Sequence, residues 1–233
     1  MHLFYTPDIL ATREMPEEES NHAVKVLRLA EGDEVILIDG MGTFHKAVIA
    51  RAHHKRCGVE ILESYPETNL RDYKIHIAVA PTKNMDRIEW FAEKATEIGL
   101  DAITLLKCRF SERKEVKVER LNKILISAMK QSLKATLPHL DGMTDFKKFV
   151  QQPFEGQKFI AHCYKDAERV LLKQAYRPGE NMLILIGPEG DFSEEEVELA
   201  LANGFQPVSL GNSRLRTETA ALVACHTMHV INE

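Results

Sequence analysis

From residue 74 onward, short apolar runs alternate with segments of helical period, and this alternation restricts the fold more than any other feature of the chain. The runs "KIHIAVA" (74–80), "AITLLKC" (102–108), "KFIAHC" (158–163), "NMLILIG" (181–187) and "PVSLG" (207–211) have strand length. Between them, "MDRIEWFAEKATEIGL" places Ile88, Phe91, Ala95 and Ile98 on one helical face. Further helices are predicted over 115–134, over "EEEVELALAN" with Gly204 as its stop, and over 217–231. Strands that alternate with helices of this length form a largely parallel sheet covered on both faces, an α/β domain.

The first 70 residues read differently. "EVILID" (34–39) and "FHKAVIARA" (44–52) predict two strands joined by the turn "DGMGT", and "GVEILES" (58–64) a third. One short helix is expected over about 17–29, where acids fill the first turn. "YPETNLRDY" (65–73) is polar, contains proline, and reads as a linker. The expected division is therefore 1–70 and 71–233.

Composition narrows the function. No apolar run approaches the roughly 20 residues of a membrane span, and the N-terminal "MHLFYTPDIL" is not a signal peptide. Cys57, Cys108, Cys163 and Cys225 are scattered without CxxC pairs, which suits a reduced, cytoplasmic protein. Cys225-His226-x-x-His229 imitates a metal motif, but ordinary helix residues explain it and no metal is expected. The net charge is −5. Even so, 107–134 carries nine Lys/Arg against three Glu, and 45–56 carries four Lys/Arg, three His and no acid. Each alone reads as a solvated face; together they point to a local anionic partner.

The chemistry is concentrated in "NMLILIGPEGDFSEEE" (181–196). Ser193 and Glu196 form a predicted capping box, and the acids at 194–196 complement the positive helix end. Helix initiation leaves Gly187 and Gly190 unexplained. Glycine permits unusual dihedrals and close approach of a ligand, and ligands of open α/β sheets bind at the carboxyl ends of strands. Glu189, Asp191 and three glutamates would repel phosphate, and no Lys-Ser/Thr follows as in a P-loop. A neutral or cationic nucleoside is permitted. S-adenosylmethionine, with its sulfonium, ammonium and adenosine, is one such molecule. A second strand end, "SLGNSRLRTETAAL" (209–222), supplies another glycine loop before a helix near Thr217, with Arg214 and Arg216 flanking Leu215.

With these motifs the chain resembles the RsmE family of SPOUT-class RNA methyltransferases over essentially its whole length. "IGPEGDFSEEE" is similar to the family's I-G-P-E-G-G-F-S-x-x-E, with Asp191 for the last glycine. "SLGNSRLRTETA" is similar to S-L-G-x-R-I-L-R-T-E-T-A, with Ser213 for arginine and Arg214 for an aliphatic. "EKATEIGLDAITLL" matches K-A-T-E-L-G-V. "AMKQSLKATLP" keeps Gln131, Ser132 and Pro138 of A-x-x-Q-S-x-R-x-x-x-P, with Lys134 for arginine. "NHAVKVLRLAEGDEVILIDG" resembles H-x-x-x-V-L-R-L-x-x-G-D.

The resemblance implies a SPOUT α/β domain whose chain end threads a trefoil knot, preceded by a small PUA-like β-barrel that helps hold RNA. It implies a homodimer that methylates N3 of a uridine in 16S ribosomal RNA of the small subunit, using S-adenosyl-L-methionine bound in a bent shape. Ile186, Gly187, Pro188, Glu189 and Gly190 would line the cofactor, facing Leu210, Gly211, Leu215, Arg216, Thr217, Thr219 and Ala220. Arg216 is the catalytic candidate; its alternative role is an ion pair with Glu218 or Glu189. His162, near the first loop, reads as structural. The basic candidates for RNA contact are Arg28, Lys46, Arg51, Lys55, Arg56, Arg113, Lys114, Lys117, Arg120, Lys134 and Arg214. Two other readings stay open, a non-catalytic RNA-binding protein on this fold and an unrelated doubly wound nucleotide enzyme. Cofactor titration and competition with ATP would separate them.

Overall fold

The computed structural model describes residues 2–68, 71–164 and 169–233. By its contacts the chain divides into two units. One comprises Met1–Leu70 with Ile126–Leu137, the other Arg71–Leu125 with Pro138–Glu233. Asn69 and Leu70, within the expected linker, lie outside the described residues; the first two linker positions, Tyr65 and Pro66, are strand.

The first unit is built on a four-stranded sheet of β1 (Leu3–Tyr5), β2 (Glu34–Ile38), β3 (Thr43–Arg51) and β4 (Gly58–Pro66), in that spatial order. Here β1, which has no counterpart in the sequence reading, pairs parallel with β2, and the rest is antiparallel. Bulges at Lys46/Ala47 and Ile49/Arg51 bend the β3–β4 ladder, and Glu14 bridges Gly58. A bulge adds local twist to a ladder, and in place of a closed barrel the described strands form a four-stranded sheet that runs from β1 to β4. Phe4, Ile9, Val35, Leu37, Ala47 and Val59 form one buried cluster.

Two short helices, α1 (Ile9–Thr12) and α2 (Glu17–Asn21), precede a π-helical turn at His22–Val26. The helix expected to reach residue 29 stops early. Arg28 adopts a left-handed φ of 59°, and the Leu29 amide bonds back to the Ala23 carbonyl at 3.0 Å. That is a helix-stop geometry in which glycine is usual.

The second unit has a seven-stranded, wholly parallel sheet. Its strands are β5 (Ile75–Val79), β6 (Ala102–Lys107), β7 (His139–Asp145), β8 (Gln157–Ala161), β9 (Val170–Leu171), β10 (Met182–Ile186) and β11 (Gln206–Ser209). Their order is β7-β6-β5-β10-β8-β11-β9. The central β10 is buried at every position, as expected for a parallel strand covered on both faces.

The helices are α3 (Met85–Ile98), α4 (Val118–Gln131), which belongs to the first unit from Ile126 onward, α5 (Phe146–Val150), α6 (Leu172–Ala175), α7 (Glu194–Ala202) and α8 (Thr217–Asn232). Leu183 and Leu185 of β10 pack with Phe146 and Phe149 of α5 and with Val197 and Ala200 of α7. Side chains alternate across a strand, so Met182, Ile184 and Ile186 face the opposite side, where α8 packs on β5 and β10 and against α3.

Register then places the functional loops. Ile186 of β10 and Val208 of β11 are both paired with Ala161 of β8. Three neighbouring parallel strands thus end side by side, and the segments after them, 162–164, 187–193 and 210–216, leave from the same edge.

Candidate active site

These three segments enclose a cavity of about 410 Å³, within the range of ligand pockets. The Thr217 hydroxyl, at the first turn of α8, donates to the Gly187 carbonyl at 3.0 Å and joins two of the loops. The loop 187–193 turns directly into α7. There Ser193 accepts from the Glu196 amide, and Glu196 accepts in return from the Ser193 amide at 2.9 Å, so both halves of the expected capping box are made. The other Glu196 carboxylate oxygen accepts from the Arg109 amide at 2.7 Å.

Of the cofactor-site residues expected from sequence, Ile186, Gly187, Pro188, Glu189, Leu210, Gly211, Leu215, Arg216, Thr217 and Ala220 line the cavity. Gly190 and Thr219 lie outside its lining. Gly187 and Gly190 do not use the left-handed backbone that glycine permits: neither takes a positive φ. A Cβ at Gly187 would sit 3.2 Å from the buried Phe192 ring, and one at Gly190 would sit 3.1 Å from Cβ of Phe110. Protein packing by itself disfavours a side chain at Gly187 and crowds one at Gly190. The left-handed positions are Asp191, at φ 66°, and Gly211, at φ 130°. Asp191 stands where the family pattern has glycine. Aspartate tolerates this region better than most residues. Its carboxylate is also used: Oδ2 accepts from the Cys163 amide and Oδ1 from its neighbour Phe192, each at 2.8 Å.

Sequence reasoning did not single out Arg87 and Arg169, which line the cavity with Asp191, His162, Cys163, Arg214 and Glu218. Arg87 comes from α3, a hundred residues before the glycine loops, and only the tertiary fold brings it in. Arg169 donates to the His162 carbonyl. Arg216 is exposed and, among the described residues, makes no ion pair. The partners considered for it are otherwise engaged. Glu189 accepts from the Lys83 amide at 2.9 Å, and Glu218 faces Arg87 at 3.9 Å.

Two buried side-chain atoms of the lining lack hydrogen-bond partners, Nε2 of His162 and Oε2 of Glu218. Burial, reinforced by the Arg169 charge, lowers the His162 pKa and favours neutral imidazole. Its Nδ1 accepts from the Tyr164 amide at 3.3 Å, so the proton lies on Nε2. Burial and the Asp191 charge raise the Cys163 thiol. The His162 donor, the carboxylates of Glu189 and Asp191 and the apolar walls from Ile186, Leu210 and Leu215 together fit S-adenosylmethionine. A buried unpaired donor is costly, and that molecule carries acceptors.

The RNA candidates are dispersed. Lys46 pairs with Glu34, Arg51 and Arg56 both pair with Glu14, and Arg120 pairs with Glu89. Arg113 donates to the Thr82 and Lys83 carbonyls. Arg28, Lys55, Lys114, Lys117 and Arg214 are exposed, and Lys134 is half-buried. Among the described residues no group of side chains has the form of a metal site. Cys225 and His229 both reach the Gly99 carbonyl instead, at 3.9 and 2.8 Å.

Known proteins match this architecture. A model of the RNA methyltransferase domain matches residues 69–229, and one of the RNA methyltransferase PUA domain matches 16–62. The "Ribosomal RNA small subunit methyltransferase E" of Synechocystis is 29% identical, over 97% of this chain and 75% of its own. That of Bacillus subtilis is 28% identical, over 89% and 85%. Among solved structures, a protein named a probable rRNA-methyltransferase from Porphyromonas gingivalis is 44% identical, with a TM-score of 0.93 over 100% of this chain and 98% of its own. A ribosomal RNA small subunit methyltransferase E from Neisseria gonorrhoeae, bound to S-adenosyl methionine, is 28% identical, with a TM-score of 0.86 over 100% and 98%. The chain belongs to the RsmE family of RNA methyltransferases, a PUA-like domain joined to an α/β domain of SPOUT type.

Proposed function

We propose that the protein transfers a methyl group from S-adenosyl-L-methionine to N3 of a uridine in 16S ribosomal RNA of the small subunit. The observation that carries this reading is the cavity at the shared strand edge, which is lined by the family's two glycine loops and contains the buried donor of His162 without a partner. The bound cofactor supplies an electrophilic methyl group on a cationic sulfur. Within the chain, Ile186, Leu210 and Leu215 would pack its base, and the carboxylates of Glu189 and Asp191 lie where its positive charge is favoured.

Arg216 would then act on the RNA. N3 of uracil carries a proton at neutral pH, so methylation develops negative charge on the ring. A fixed guanidinium stabilises that charge and cannot itself take the proton. Among the described residues Arg216 makes no ion pair, which leaves its charge available. Arg216→Ala is expected to lower the single-turnover rate by about a hundredfold or more, with little change in cofactor affinity. Arg214→Ala, at a position that departs from the family pattern, serves as the control. A normal Arg216→Ala rate at saturating RNA and cofactor would remove Arg216 from the chemistry. The reading as a whole is tested by mass spectrometry of ribosomal RNA from a strain lacking the protein, before and after addition of protein and cofactor.

The division at residue 70, a trefoil knot, a homodimer with each site near the interface, and a cytoplasmic location belong to this same reading. No helix among the described residues is long and apolar enough to cross a membrane. Exposed Trp90 on α3 and Val230 on α8 leave large apolar side chains on two packed helices.

A further inference from the structure

The reaction requires somewhere for the N3 proton to go, and the cavity narrows the choice. Arginines cannot accept it, and the raised Cys163 thiol already holds a proton. The open nitrogen of His162 is a donor, because its other nitrogen accepts from the Tyr164 amide. Both oxygens of Asp191 accept backbone N–H groups. Glu189 is exposed, with one oxygen on the Lys83 amide. Glu218 is left. It is 6% exposed, it lines the cavity, and its Oε2 is buried without a hydrogen-bond partner. Its position in the first turn of α8 explains a negative charge by the helix dipole, yet does not explain a buried oxygen with no hydrogen-bond partner among the described residues. Arg87 lies 3.9 Å from Oε1, so the other oxygen is the one left open.

Resting on the methyltransferase reading, we propose that Glu218 is the general base of this reaction. The N3–H bond breaks as the proton passes to Oε2. The freed lone pair forms the N–CH3 bond, and the electron pair of the S–CH3 bond remains on sulfur. On product release the proton leaves Glu218 through the open mouth of the cavity.

The test compares wild type with Glu218→Gln, which keeps the shape and removes the base. The substrate is small-subunit RNA transcribed with uridine or with 5-fluorouridine, whose N3 is more acidic and needs a base less. Single-turnover rates are read beside calorimetric affinity for S-adenosylmethionine. We expect Glu218→Gln to lose about a hundredfold or more in rate on uridine RNA. Affinity should stay within about threefold, and 5-fluorouridine RNA should recover roughly tenfold or more. Weakened cofactor binding with a normal rate at saturation would show instead that Glu218 holds the cofactor's cation, and equal losses on both RNAs would show that it removes no proton. Either result overturns the proposal. If Glu218→Gln does not fold, Glu218→Asp must show the same dependence on fluorine, and its absence is equally fatal. A wild-type protein that neither binds cofactor nor methylates would sink the underlying reading, and this proposal with it.

Discussion

Asp191 shows what a single backbone angle can demand. Its φ of 66° costs about 1–2 kcal/mol in a residue with a Cβ, and its carboxylate offsets this by accepting from the Cys163 and Phe192 amides. Asp191→Gly, which restores the family residue, therefore relieves strain and removes both bonds. Global stability should change by less than about 1 kcal/mol, whereas the Cys163 amide should exchange with solvent much faster by NMR. An unchanged Cys163 exchange rate would mean that the carboxylate does not hold that segment. Gly187 is the opposite case. Gly187→Ala should destabilise by about 1–3 kcal/mol in urea unfolding, because its Cβ meets the buried Phe192 ring at 3.2 Å. The glycine motif was legible in the sequence, but its physical cause was not, since a motif does not show which way a missing Cβ would point.

Local signals survived best in elements whose ends carry their own hydrogen-bond partners. Ser193 and Glu196 announced α7 because both halves of a capping box lie within four residues. The run at 182–186 announced β10 by being apolar throughout. Strand β7 was invisible. "HLDGMTD" has no apolar alternation, and it is a strand because β6 offers it an edge. That edge carries a polar ladder. Thr104 donates to Asp141 at 2.8 Å, so its oxygen accepts from Nε2–H of His76, also at 2.8 Å, and His139 closes on the other Asp141 oxygen at 2.9 Å. Burial lowers the His76 pKa to about 4. The unfolded chain therefore binds the proton more readily between the ordinary value near 6.5 and about 4. Stability present above pH 6.5 is lost as pH falls through that window, by up to roughly 3 kcal/mol from this group. Urea midpoints at pH 7 and pH 4.5 should differ less in His76→Gln than in wild type. An identical pH dependence in the two would rule His76 out as its source.

At the scale of the whole molecule, charge counted along the sequence overstates the surface available to RNA. The excess of lysine and arginine over 107–134 is partly consumed within the protein, by Glu89 on Arg120 and by two carbonyls on Arg113. A sequence window cannot show such pairing, because Glu89 lies 31 positions away. Lys114 and Lys117 remain exposed. Replacing both with alanine should flatten the slope of log affinity against log salt by about 0.7 to 0.9 per lysine that contacts phosphate. Cofactor affinity should hold. A slope that does not move would leave both lysines as solvated surface.

The placing of β10 between β5 and β8 bears on how the chain reaches this state. Met182 pairs with Ile75 on one side and Gln157 on the other. The half-sheet β5-β6-β7 can form early from residues close in sequence, but β5 then presents a bare edge until a strand more than a hundred residues away arrives. Long-range parallel pairing of this kind is slow, and an uncovered apolar edge invites pairing with other chains meanwhile. The strand that aligns the reactive loops is therefore also the one whose late arrival governs whether folding ends in a usable enzyme or in aggregate, so yield on refolding should fall steeply with protein concentration.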